Sequence, residues 1–202
     1  YNNREGIIID TRFNGGGRLH EDIEILFSGK KYFTQVIRGR EACDMPSRRW
    51  NKPSIMLTCE ANYSNAHGTP WVYRHRNIGK LVGMPVPGTM TSVSWERLQD
   101  PSLVFGIPVV GYRLPDNSYL ENSQLEPDIK VANSPETIVK GEDTQLKVAV
   151  EELLKELESA GQQASPEQQE ILSRYVGWGG LSDAFDPEKL AWVSEYAQLK
   201  EL

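Results

Sequence analysis

Apolar residues fall along the chain in two patterns. Short unbroken blocks, IIID at 7–10, SIMLTCE at 54–60 and KLVGMP at 80–85, are bounded by turn residues, as strands buried on both faces are. Between the blocks the spacing turns helical. EDIEILFSG places Ile23, Leu26 and Phe27 on one face and ends at Gly29, and NAHGTPWVYRHRNIG reads as a second helix with Pro70 in its first turns. The stretch from Gly29 to about Pro53 is polar and reads as a loop. The order strand, helix, strand, helix, strand predicts an α/β crossover layout, with a glycine turn (Gly15, Gly16, Gly17) and a serine turn (Ser64) both at strand carboxyl ends. In such folds those ends share one edge of the sheet, where sites gather.

Further on, SVSWERL, LVFGIPVVGYRLP and SYLEN bunch or alternate apolar residues as strands do, and LEPDIKV is a short extended exit. GEDTQLKVAVEELLKELES puts Leu146, Ala149, Val150, Leu153, Leu154 and Leu157 on one face and closes the domain as an amphipathic helix, with Asp143 and Thr144 at its start. From about Gly161 the character changes. Ser165, Pro166 and Gln168 form a helix start, and a second helix carries Leu190, Trp192, Val193, Tyr196 and Leu199. About 40 residues with two short helices are too few to build a core alone, so residues 161–202 are expected to form a separate helical segment beside a domain at 1–160. Its aromatics, Tyr175, Trp178, Phe185, Trp192 and Tyr196, are expected to pack together or on a neighbour.

Composition narrows the function. Of 202 residues, 39% are hydrophobic and 25% charged, and the net charge is -6, which describes a globular, mildly acidic chain rather than a disordered one. The clusters GKKY and PSRRW are short and separated, so no nucleic-acid surface is expected in residues 1–160. Cys43 and Cys59 form no CxxC motif, so neither a metal nor an organic cofactor is implied, and whether the two pair stays open. No apolar run approaches the roughly 20 residues of a membrane span. The compartment is unreadable. The start YNNREG, polar and without Met, predicts that sequence upstream has been removed.

Ser64 carries the chemistry. A serine between a buried strand and a helix is either a helix cap, the usual role, or a hydroxyl presented to a carbonyl. GIIIDTRFNGGG, NYSNA, GKLVG, LENSQLEPDI and GEDTQLKVAVEELL, in this order, resemble the carboxyl-terminal catalytic subdomain of tricorn-type proteases, relatives of the carboxyl-terminal processing serine peptidases, over residues 4–158. The resemblance implies a fold like the Clp protease and crotonase group and cleavage of a peptide or unfolded protein substrate. It implies Ser64 as nucleophile, Gly17 and Asn65 as backbone donors of the oxyanion hole, and Glu121 as the tetrad carboxylate. A homo-oligomer is compatible with it.

The chain also departs from that pattern. The tricorn branch takes its base, a histidine preceded by a serine, from far upstream of the glycine turn, and no such segment is present. The processing branch uses a lysine after the GKLVG strand, where this chain reads MPVPGTM. His67 replaces an acidic residue of the serine phrase and is the local alternative base. His20 and His75 have no partner legible in sequence and read as solvent-side. The expectation is a fragment with little peptidase activity alone, and the competing reading is a non-catalytic peptide- or protein-binding module. The tail phrase EQQEILSRYVGWGGLSDAFD resembles a segment of helicase- and methyltransferase-like proteins of phages and mobile elements, so a composite chain is expected, with a lineage-specific helical extension as the alternative.

Overall fold

A computed structural model describes residues 3–159. The boundary near Gly161 and the tail helices lie outside the described residues. A four-stranded parallel sheet runs in the order β1 (Ile7–Asp10), β4 (Ser54–Thr58), β5 (Lys80–Gly83), β8 (Ile129–Lys130). The continuous apolar runs follow from burial on both faces. Ile55, Leu57 and Val82 point to one face and pack with Leu146, Ala149, Val150, Leu153 and Leu157 of helix α4 (Thr144–Ser159). Met56 and Leu81, one residue out of phase, point to the other and pack with Tyr73 of helix α2 (Asn65–His75), Val86 and Leu125. Helix α1 (Leu19–Ser28) adds Ile23 beside α2, and the expected α/β crossover layout is the one observed.

Two hairpins lie outside the sheet. The segment read as a polar loop contains β2 (Phe33–Ile37) and β3 (Arg40–Met45), paired antiparallel around Arg38 and Gly39, both at positive φ. Its side chains are mostly exposed on both faces, so no alternation marks it. The expected strands β6 (Ser92–Arg97) and β7 (Val104–Val110) pair antiparallel as the second hairpin; most of β7 is exposed, and Trp95 is 67% accessible. SYLEN is no strand but a turn carrying the single bridge Arg113–Tyr119. A short helix, α3 (Pro135–Val139), was not expected, although Ser134 caps it through the Thr137 N–H and Pro135 opens it.

Arg12, just past β1, ties the first strand to the last helix. All five of its guanidinium N–H groups are used, on Asp10 (2.9 and 2.7 Å), Asp143 (2.9 and 2.7 Å) and Gln145 (3.0 Å). Lys80 of β5 reinforces the same face by pairing with Glu152 and Glu156 of α4.

Candidate functional site

Because the strands are parallel, the loops after β1, β4 and β5 share one edge of the sheet. Cys59 to Ser64 leads from β4 into α2, and this turn is fastened from both sides. The Tyr63 N–H donates to the Asn14 carbonyl at 3.0 Å and the Gly16 N–H to Asn14 Oδ1 at 2.7 Å, which draws the glycine turn against it. Buried Asn62 donates to Thr11 Oγ1 (3.1 Å) and to the Ala66 carbonyl (3.2 Å). The second bond answers a specific need. Pro70 is the sixth residue of α2, in its second turn, and it has no N–H for that carbonyl four residues back. Cys59 is buried and unpaired, accepting the Phe13 N–H at 3.2 Å, and Cys43 is exposed and free, so the two do not form a disulfide.

Ser64 occupies the N-cap position of α2 but does not act as a cap. Its side chain makes no capping hydrogen bond, and its backbone sits at φ 57°, ψ -124°, a conformation that for a non-glycine residue costs about 1–3 kcal/mol. The cap reading therefore fails, and the hydroxyl is left unused by the helix. The Ser64 N–H donates to Thr89 Oγ1 at 3.2 Å. The glycine turn reaches Ser64 through Gly16, where an added Cβ would lie 2.7 Å from Ser64 Cβ, 2.9 Å from the Tyr63 oxygen and 3.0 Å from the Asn65 nitrogen. Gly17 follows at φ 133° and borders open space. Among the described residues no acceptor takes the backbone N–H of Gly17 or of Asn65.

The loops 84–91 and 120–125 are joined by mutual bonds between Val86 and Leu125 and by the Asn122 N–H to the Gly88 carbonyl at 2.9 Å. Glu121 lies in this seam, half-buried rather than at an exposed strand end, and accepts the Thr91 N–H at 2.7 Å. Thr89 and Thr91 thus link the segments of Ser64 and Glu121. Nothing in MPVPGTMT announced that role, since threonines at loop positions carry no periodic signal.

The three histidines part company. His67 is completely buried on α2, and neither ring nitrogen has a hydrogen-bond partner, to Ser64 or to any other described residue. Burial pushes its pKa down, against upward pulls from the Glu121 carboxylate and from the Ser123 backbone, which comes near without making a hydrogen bond of normal geometry. His20, expected to face solvent alone, instead meets Asn65 Nδ2 through Nδ1 at 2.7 Å. His75 stacks on Trp71 with ring centroids 4.5 Å apart.

An imidazole buried without partners is costly, and this gives a stability prediction. His67→Leu should stabilise the protein by about 1–2 kcal/mol near neutral pH, since an apolar side chain of similar size removes the stranded polar atoms. The unfolded chain protonates this histidine below about pH 6.5 while the folded chain resists, so stability falls as pH falls below that value. The leucine variant should have a flatter acid limb. Urea unfolding at pH 7.5 and 5.5 measures both, and a clear destabilisation at pH 7.5 would mean that the ring has a partner in solution.

Comparison with known proteins adds a family. The profile described as peptidase family S41 matches residues 1–131. A protein of Sulfurisphaera tokodaii, described as a tricorn-like protease C-terminal subunit, is 30% identical over 161 residues, 77% of this chain and 18% of that protein. The tricorn protease of Thermoplasma acidophilum is 25% identical over 154 residues, 76% of this chain and 14% of that protein. A crystal structure of the tricorn protease superposes with a TM-score of 0.66 at 26% identity, over 76% of this chain and 15% of that one. This chain spans 14–18% of the length of those two sequence relatives.

Proposed function

The chain belongs to peptidase family S41, and from that premise we propose that residues 1–160 are the part of a tricorn-like serine peptidase that carries the nucleophile and the oxyanion hole. Ser64 Oγ attacks the carbonyl carbon of a peptide bond, and its proton passes to a base. The Gly17 and Asn65 N–H groups hold the resulting oxyanion. The C–N bond then breaks as the amine leaves with that proton, and water hydrolyses the acyl-serine. Glu121 orients polar groups around the base. The single observation that carries this reading is the strained, uncapping Ser64 at the end of a buried strand, pressed against Gly16 and beside unpaired backbone N–H groups.

The base is the part supplied from elsewhere. None of the described histidines hydrogen-bonds Ser64, so we assign it to a segment outside residues 3–159, in keeping with the small share of its relatives that the chain spans. Trp95 on one face of β6–β7, Phe105 and Ile107 on the other, and Phe33 on β2–β3 are exposed, and these apolar side chains are contacts for such a segment of a longer parent protein. We further propose that residues 161–202 derive from a different protein, a reading supported by the phrase EQQEILSRYVGWGGLSDAFD.

A fluorophosphonate probe tests the assignment. In the longer parent protein it should label Ser64 and not the Ser64→Ala variant, and the chain alone should hydrolyse fluorogenic peptides at least about 1,000-fold more slowly than the parent. A binding module would show no Ser64-dependent labelling in either form. Hydrolysis by the chain alone that is lost in both Ser64→Ala and His67→Ala would instead make His67 the base.

A further inference from the structure

We propose that His20 is a positioning residue for the Ser64 turn, acting through Asn65; as a statement about catalysis this rests on the serine-peptidase reading above. The residue pair is held at two points. The His20 backbone N–H donates to Asn65 Oδ1 at 3.3 Å, and Asn65 Nδ2 meets His20 Nδ1 at 2.7 Å. Thr69 Oγ1 donates to the same Asn65 Oδ1 at 3.2 Å and to the Asn65 carbonyl at 2.8 Å. These contacts fix the amide. Rotating it by half a turn would set an NH2 group against the His20 backbone N–H, donor against donor, so Oδ1 must face that N–H and Nδ2 must face the ring. The ring nitrogen it meets is therefore an acceptor, and His20 is held as the Nε2–H tautomer.

The location gives the clamp its purpose. His20 lies three residues after Gly17 in the first turn of α1, and Asn65 is the first residue of α2, directly after Ser64. One side-chain pair thus sets the glycine turn and the start of the Ser64 helix at a fixed separation. The two backbone N–H groups that no acceptor takes belong to these same two segments. A displacement of about 1 Å between them is the scale on which oxyanion geometry fails. Ser64 itself cannot supply this restraint, because its side chain bonds neither helix.

The test separates the clamp from general packing. Nitrogen chemical shifts of the His20 ring in the intact chain should report the Nε2–H tautomer. Hydrogen exchange at the Ala66 and His67 backbone N–H groups, which close the Ser64 turn on the Tyr63 and Ser64 carbonyls, should accelerate about tenfold in His20→Gln, whose amide reaches toward the Nε2 position, and stay near wild type in His20→Asn, whose Oδ1 replaces the Nδ1 acceptor. A ring protonated on Nδ1 in the neutral state, or equal exchange in the two variants, overturns the proposal. In the parent protein the same pair of variants should differ about tenfold in the fluorophosphonate labelling rate of Ser64. If Ser64 never labels while the tautomer and exchange results hold, the clamp stands as a structural device and the peptidase reading is what has failed.

Discussion

Replacing Arg12 by methionine should destabilise the protein by about 3–5 kcal/mol, the largest loss expected from any single side chain outside the apolar core. Five directed N–H groups disappear at once, and Asp10 and Asp143 are left facing each other with side chains only 15% and 26% exposed. Lysine should rescue little, because one ammonium cannot reproduce a planar fork shared between two carboxylates and an amide. The acid limb carries a second signature. Burial alone would raise the Asp143 pKa, but Arg12, the Leu146 N–H and Asn133 outweigh it and hold the carboxyl below its usual value. That contribution is present above the unfolded pKa and is lost as pH falls through the folded one. Arg12→Met should therefore lose less stability between about pH 4 and pH 2 than the wild-type protein does. Urea unfolding across that range measures the difference, and a loss under about 1 kcal/mol at neutral pH would mean that the network is not formed.

A methyl group on Gly16 should undo the site more thoroughly than one on either neighbour. Gly16→Ala combines a φ of 106° with a Cβ 2.7 Å from that of Ser64 and pressed on the Tyr63 oxygen, and neither backbone nor Cβ can move aside. Strain and overpacking together amount to about 3 kcal/mol. Gly15→Ala meets nothing within 4 Å and should be nearly neutral, while Gly17→Ala has room but a φ of 133° and should fall between. Melting temperatures of the three variants, with fluorophosphonate labelling of Ser64 in the parent protein, give the order directly. Labelling that survives in Gly16→Ala would separate the glycine turn from the serine's chemistry.

The sheet was legible because packing on both faces writes itself into sequence as unbroken apolar runs, as in SIMLT, buried throughout, and in IIID, half-buried with Ile8 and Ile9 packed on opposite faces. The β2–β3 hairpin was not, because a ribbon exposed on both sides selects no alternation; its only signal was Arg38-Gly39, a turn pair that polar surroundings disguised. The apolar pattern of β6–β7 was read correctly as strand, although nothing in it told that most of β7 is exposed. Of the site, the turn with its serine was visible, since a buried strand ending at a helix start is a local pattern. The contacts that hold it were not. Asn62, Thr89, Thr91 and His20 act across 25 to 51 positions of sequence, through single polar atoms whose partners are chosen by tertiary packing.

The bond between Arg12 and Asp143 joins positions 131 residues apart, and this sets when the domain can close during synthesis. Strand β1 is made well before β4, its partner among the described strands, and the apolar face they share lacks its α4 cover until that helix has been made. At ordinary translation rates that interval is on the order of ten seconds, during which Ile8, Ile55 and Leu57 are open to chaperones or to other nascent chains. The domain is therefore expected to remain open to chaperones until Asp143 and the α4 helix that follows it have emerged.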